Sequence, residues 1–229
     1  MTAQKLPDSA AARHGGGGAD LTIMIAAHDA FRRDLVSLAR AAQGPDRHHP
    51  DRQRSVAAGW ELFKRQLHVH HTAEDDLIWP VLRERLGRSA NALSVLDEME
   101  SEHERIDPLL APLDHGFASA DGPAGGYQGT DRLADAVDTL VAALTGHLTH
   151  EEKDGLPLIG AALTAAEWRG VGFKIARRNG LSGSGEMFSW MLSSTAPDEA
   201  RAITRQLPPP VRVLYRAAWK PRFEKTRRW

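Results

Sequence analysis

An all-α fold is predicted for this chain: an up-down-up-down four-helix bundle with an additional C-terminal helical extension. Three observations predict it. First, the chain repeats itself: His70, Thr72, Glu74 and Pro80 in HVHHTAEDDLIWPVL recur 77 residues later as His147, Thr149, Glu151 and Pro157 in GHLTHEEKDGLPLI. Upstream, AHDAFRRDL around His28 aligns with EHERIDPLL around His103 at an offset of 75. Second, four segments carry apolar residues at the spacing of a core-facing helix. Third, the repeated His and Glu residues fall on those apolar sides. Each repeat unit is therefore a helix bearing one His followed by a helix bearing HxxxE, and two such hairpins related by a pseudo-two-fold axis form a four-helix bundle.

Residues 1–19 contain Arg-His-Gly-Gly-Gly-Gly and read as a flexible segment. The first helix is expected from Asp20, as N-cap, to about Gln43, with Ile25, His28, Phe31, Leu35 and Leu38 in one stripe. The second runs from about Pro50 to Leu86 and turns Trp60, Phe63, Leu67, His70, Glu74, Leu77 and Ile78 inward; Pro80 predicts a kink or helix end one turn past the Glu. The third, roughly Ser89 to Phe117, carries Leu93, Leu96, Met99, Ile106, Leu110 and Leu113, and Pro108 should bend it. DGPAGGYQG reads as a loop. The fourth, about Thr130 to Leu163, presents Leu133, Val137, Leu140, Leu144, His147 and Glu151, which closes a bundle over residues 20–163. In the extension, 164–229, TAAEWRGVGFKIARRNG and GEMFSWMLSSTA read as two amphipathic helices, Pro197 opens another, and Pro208 to Pro210 form a stiff break.

Composition excludes several classes. The chain has 229 residues and no Cys, so disulfides, thiolate catalysis and iron–sulfur ligation by this chain are ruled out. A net charge of -1 argues against a general nucleic-acid binder. No apolar run approaches the ~20 residues that span a bilayer and no signal-like segment opens the chain, so a cytoplasmic location is expected. Gly-rich phosphate cradles, nucleophile elbows and nucleotide fingerprints do not occur.

A His and a Glu four positions apart lie about 40° from one another on a helix and roughly 6 Å apart along its axis, so both can reach one cation. With 11 His and 30 acidic residues, a lone pair of this kind arises readily by chance, and His71/Asp75, His103/Asp107 and His150/Asp154 share the spacing. Superposing the two copies selects the frame, because His71 aligns with Leu148 and His150 with Ala73. Six groups are left to converge: His28, His70, Glu74, His103, His147 and Glu151. Buried Glu costs several kcal/mol without a counter-charge and two would repel one another, whereas cations remove that penalty. Three nitrogen and oxygen donors per half suit two first-row metal ions bridged by the carboxylates, with iron favoured over zinc, and zinc and manganese as the alternatives. By the same frame His68, His71 and His150 should lie off the ligand face, and His71→Ala should leave metal occupancy unchanged. Asp107 reads as a surface charge, Asp75 and Glu152 as outward-pointing groups or acceptors for a neighbouring ligand, and Trp79 and Phe31 as core or pocket wall.

This order of His, HxxxE, His, HxxxE, with Pro six residues after each Glu, resembles the hemerythrin-like (HHE cation-binding) family across roughly residues 20 to 163. The resemblance implies a bundle around a non-haem di-iron centre bridged by oxide or hydroxide, with His28, His70, His103 and His147 as terminal ligands and Glu74 and Glu151 as bridges. Two positions depart from the oxygen-carrying members: Asp107 stands where they have a further His, and Glu152 stands where they have the last carboxylate, an Asp. A site poorer in imidazole leaves more room for an exogenous ligand, which shifts the implied function from oxygen carriage towards peroxide or nitric oxide chemistry, a catalase-like or other redox activity being its enzymatic form. The implied partner is thus a diatomic or peroxide molecule, in an oxidative or nitrosative stress response. An iron-sensing or regulatory module is the alternative, and an interaction protein without functional metal a third. The extension is similar to those of some actinobacterial hemerythrin-domain proteins. From Pro210 onward it holds seven basic residues and one acidic. Its apolar stripe of Val211, Leu214, Tyr215, Ala218 and Trp219 is expected to pack on the bundle, with peripheral contact to an anionic membrane as the alternative.

Overall fold

The computed structural model describes residues 18–43, 49–118, 127–193 and 195–229, with the side chains of 118 and 127–131 excepted. The predicted N-terminal segment up to residue 17 and the DGPAGG loop lie outside these residues. Gly18 and Ala19, assigned above to that segment, are packed: Gly18 pairs with Thr164 and Ala19 is buried.

Four antiparallel rods form the bundle. The first is α1 (Thr22–Gln43), whose opening N–H is capped by Asp20 at 3.0 Å. The second joins α2 (Pro50–Ala73) to α3 (Trp79–Leu86) through a π-helical turn, Glu74–Ile78. The third is α4 (Ala90–Ile106), capped by Ser89 and broken at Pro108 by a tight turn before α5 (Ala111–Ala118). The fourth joins α6 (Tyr127–His150) to α7 (Leu156–Ala162) through a second π turn, Glu151–Gly155; Tyr127 to Gly129, read as loop, are already helical.

A π turn stands ahead of Pro80, where a kink or helix end is expected, and a second stands ahead of Pro157; one reason covers both. Proline at 80 and at 157 has no N–H to give the carbonyl four residues back, and its ring crowds that carbonyl. The backbone widens just ahead of it, so that Trp79 N–H bonds Glu74 C=O and Leu156 N–H bonds Glu151 C=O, each five residues away. In both copies the candidate ligand Glu is the first residue of the widened turn.

The core is split. One apolar cluster gathers Phe31, Leu35, Trp60, Phe63, Leu67, Ile106, Leu140 and Leu144. Another gathers Ile25, Ile78, Trp79, Leu82, Leu96, Met99, Leu156 and Ile159. On every rod the candidate ligands fall between the residues given to one cluster and those given to the other. A polar layer thus crosses the bundle between two apolar ones.

The extension begins with α8 (Ala165–Met191), opened by a reciprocal cap between Thr164 and Glu167. Gly180 (φ 63°, ψ -176°) interrupts it, so it is two helices meeting at the predicted boundary, in a conformation that favours glycine. Then come α9 (Pro197–Gln206), α10 (Pro209–Leu214), a π turn (Tyr215–Trp219) and α11 (Lys220–Glu224). The extension packs on the bundle: Trp190, Met191, Ile203 and Tyr215 belong to the same apolar cluster as Phe31 and Phe63. Trp190 Nε1 donates to the buried Asp34 at 2.7 Å, and Arg33 donates to the carbonyls of Trp190 and Ser193. Trp219 and Trp229 lie flat against Gly185 and Gly59, where an added Cβ would stand 2.6 Å from the indole. Among the described residues no helix is long and apolar enough to cross a membrane.

Candidate metal centre

All six candidate ligands meet in the polar layer. His28, Glu74 and Glu151 have no exposed surface, while His103 and His147 are buried and His70 nearly so. Potential ligand atoms of His28, His70, Glu74 and Glu151 all lie within 4.8 Å of one another; those of His103 and His147 form a second such group, with His71. Glu74 links the groups, its Oε1 standing 3.2 Å from His70 Nε2 and its Oε2 3.5 Å from His103 Nε2. Glu151 Oε2 stands 3.1 Å from His28 Nε2 and 4.0 Å from His147 Nε2.

The outer nitrogens of three imidazoles are held by carboxylates. His28 Nδ1 is 2.9 Å from Glu152, which also accepts from Arg32 at 2.7 Å; His103 Nδ1 is 2.9 Å from Asp75; His147 Nδ1 is 2.9 Å from Glu102. Glu152 and Asp75 occupy equivalent places in the two copies, each one residue past the candidate ligand Glu and each holding the first-helix His of the other hairpin. A hydrogen bond of this kind fixes tautomer and ring orientation and leaves Nε2 facing inward. Glu102, which sequence reasoning missed, bonds His150 as well, at 3.0 Å. Its signal was its place immediately before His103, on a face that the repeat did not single out.

The inner atoms lack partners. His28 Nε2, His70 Nε2 and all four oxygens of Glu74 and Glu151 are buried without a hydrogen bond, because their short contacts miss hydrogen-bond geometry. Two imidazole nitrogens, His103 Nε2 and His147 Nε2, face each other at 3.2 Å. Nitrogens bound to one cation at about 2.1 Å stand roughly 3.0–3.4 Å apart, so a metal ion fits the geometry that protons alone leave unsatisfied.

Electrostatics agree. Burial, then repulsion from Glu151 and Asp75, pushes the Glu74 carboxyl well above the ordinary range. Burial would raise Glu151 too, but His28, together with His147 and His103, holds Glu151 low. Burial would lower His28, yet Glu151 and Glu152 carry it up to about 9. Burial, then the neighbouring imidazoles, lowers His70, so its lone pair is free at neutral pH.

The structure departs from the predicted ligand frame at His71. This residue was expected off the ligand face, yet it is buried, stacked on the His103 ring at 3.9 Å and 11°, and edge-on to His147 at 5.5 Å. One position along a helix is a turn of about 100°, so His70 faces one group while His71 faces the other. His68 is exposed, as expected, and His150 is half-buried on the outer side of Glu102. The side chain of Asp107 is 71% exposed and does not bond His103. Phe31 and Trp79 are fully buried in the apolar core, Phe31 against the His70 ring.

The Hemerythrin HHE cation binding domain matches residues 19–159, more than half of the chain and all of the cluster. The chain belongs to this family. Curated relatives include iron-sulfur cluster repair proteins YtfE: that of Enterobacter sp. (strain 638) is 24% identical over 132 residues, covering 56% of this chain and 59% of the relative. Those of Escherichia coli (strain K12 / DH10B) and Shigella boydii serotype 18 (strain CDC 3083-94 / BS512) are 25% identical over 133 residues, with the same coverage. This HHE chain therefore spans well under two thirds of the length of the relatives it matches. No solved structure matches it at comparable significance.

Proposed function

We propose that the chain holds two non-haem irons, one against His28 and His70 and one against His103 and His147, with Glu74 and Glu151 shared between them. We propose further that it binds or turns over a small oxidant, oxygen, hydrogen peroxide or nitric oxide, in a cytoplasmic stress response. The observation that supports this most is Glu74, whose two oxygens face one imidazole of each group. Bound there, the metals would supply Lewis acidity and electron transfer.

The chain's own residues do the rest. Glu152, Asp75 and Glu102 orient three imidazoles. Phe31, without exposed surface and 5.2 Å from the His70 ring, keeps bulk water from that side of the layer. Glu74, protonated more readily than an ordinary carboxyl, gives up its proton when a cation arrives, so loading releases protons and weakens as pH falls.

The test is metal analysis and absorption spectroscopy of freshly purified protein. About two irons per chain and a di-ferric near-ultraviolet spectrum that changes with azide or peroxide are expected; metal-free protein whose melting is unmoved by added iron would overturn the reading. A second reading draws on the relatives: their printed name is iron–sulfur cluster repair, and with no cysteine of its own this chain would act as iron donor. Transfer of iron from loaded protein to a metal-depleted cluster protein would favour it over oxidant turnover.

A further inference from the structure

Resting on the metal-centre reading above, we propose that His71 is a third imidazole ligand of the His103/His147 position, which makes the two metal positions chemically unequal. Nothing in the duplicated motif assigns it, since its counterpart in the second copy is Leu148, a residue of the apolar core.

The argument is geometric. His71 is 5% exposed, and both of its ring nitrogens are buried without a hydrogen-bond partner. A buried imidazole left wholly unpaired is costly, and a structural role as a ring-shaped spacer would be met better by an apolar residue such as the Leu at 148. One of its nitrogens lies within 4.8 Å of ligand atoms of both His103 and His147, and because the ring is stacked on His103 at 3.9 Å and 11°, a side-chain rotation that turns it out of that stack accompanies ligation. Those two rings have their Nδ1 atoms held by Asp75 and Glu102, so their Nε2 atoms face the same space as His71. His71 Nδ1 is 3.9 Å from Asp107 Oδ1, the acidic group facing that edge, which leaves Nε2 for the cluster. Helix α2 thereby delivers three donors to one layer: His70 to one position, His71 to the other and Glu74 between.

The consequence is a position with three imidazoles beside one with two. Imidazole suits iron, zinc and other late first-row ions better than carboxylate alone, so the second position should fill first and empty last. The first position, with fewer protein donors, keeps more coordination sites for an incoming small molecule.

The experiment is anaerobic titration of metal-free full-length protein with Zn2+ and with Fe2+, reading stoichiometry, affinity and melting temperature for the wild type, His71→Leu, His71→Gln and His70→Ala. X-ray absorption of the zinc-loaded protein counts imidazoles per metal independently of any variant. Two unequal binding steps are expected for the wild type, with an imidazole count corresponding to five rings over two ions. His71→Leu and His71→Gln should weaken the tighter step by at least about tenfold, while His70→Ala spoils the weaker one. Unchanged affinities in both folded His71 variants, or a wild-type count of four rings, with metal still lost in His70→Ala, would overturn the inference and leave the centre standing. Indifference of every variant, His70→Ala included, would overturn the centre itself.

Discussion

The two halves of the polar layer descend from the same motif but are walled differently. Around His28 and His70 the wall is aromatic: Phe31 packs 5.2 Å from the His70 ring and 4.8 Å from Trp190 of the extension. Around His103 and His147 the wall is polar: Glu102 holds His147, and His71 stacks on His103. The counterparts explain the contrast, since Phe31 corresponds to Ile106, Glu102 to Ala27 and His71 to Leu148. The two copies share the six backbone positions, three in each, that aim candidate donors inward, including a widened turn at each Glu. The residues one step away diverged, and they set charge, rigidity and access. One half is tied to the extension through Phe31 and has a single outer carboxylate, Glu152 on His28, whereas both motif imidazoles of the other are held by carboxylates, Asp75 and Glu102.

The largest expected effect erases the contrast. Glu74→Ala removes the one side chain whose two oxygens face both halves, so metal should be lost from both positions, whereas changing a His should affect chiefly its own half. Metal content by mass spectrometry, with helix content as a folding control, distinguishes the two; a Glu74→Ala protein that keeps its full complement would break the bridging argument.

Next in size is Trp190→Ala. Truncating a fully buried Trp costs about 3–5 kcal/mol, and here it also strips a hydrogen bond from Asp34, whose carboxyl burial already pushes upward against Arg33 and Trp190. Because Trp190 touches Phe31 and Phe31 touches His70, the variant should perturb the first half more than the second. Equal weakening of both titration steps would show that the extension supports the bundle generally.

Glu102→Ala acts in the opposite half. Removing a carboxylate that orients a ligand imidazole typically costs 10- to 100-fold in metal affinity. That loss should fall on the His147 position, whose Nδ1 it holds at 2.9 Å. Titration steps that weaken equally would sink the distinction.

Much of this architecture was legible in the chain. The repeat singles out the six candidate donors that meet in the polar layer, Asp20, Ser89 and Gly180 mark boundaries that the backbone observes, and apolar spacing orients each rod. What escaped was long-range. Glu152 reaches His28 across 124 positions and Asp75 reaches His103 across 28, pairings that no local pattern encodes. His71 was set aside because the two copies were required to agree, although divergence between copies is where a duplicated site gains asymmetry. Proline at 80 reads as a kink or helix end because apolar spacing does not show that the backbone can widen by one residue ahead of it.

Protonation sharpens the comparison in metal-free protein. His28, raised to about 9 by Glu151 and Glu152 against the lowering effect of burial, binds its proton more tightly folded than unfolded. Its contribution is fully present below the unfolded value near 6.5 and fades as pH rises through about 9. Glu74, raised as well, works in the same direction, so metal-free protein should lose melting temperature on the alkaline side of neutrality. Metal-loaded protein should be flatter there, because a cation replaces the protons. Melting curves from pH 6.5 to 10 check this, and a metal-free protein that gains stability over that range would contradict it.

The smallest expected effect belongs to Asp107→Asn. Its carboxylate is 71% exposed and 3.9 Å from His71 Nδ1, beyond direct hydrogen bonding, so solvent screens whatever it contributes. A change of less than about threefold in the tighter metal step, and of less than about 0.5 kcal/mol in stability, is expected. The value of the variant lies in its contrast with Glu102→Ala. Both carboxylates face an imidazole of the same half, but Glu102 is 20% exposed and bonds its ring at 2.9 Å. If Asp107→Asn matched Glu102→Ala, His71 would have to be fixed through Asp107 as firmly as His147 is through Glu102, with an ordered water spanning the gap. If only Glu102→Ala weakens metal, His71 is held instead by stacking on His103 and by its backbone position on α2, one step round the helix from His70.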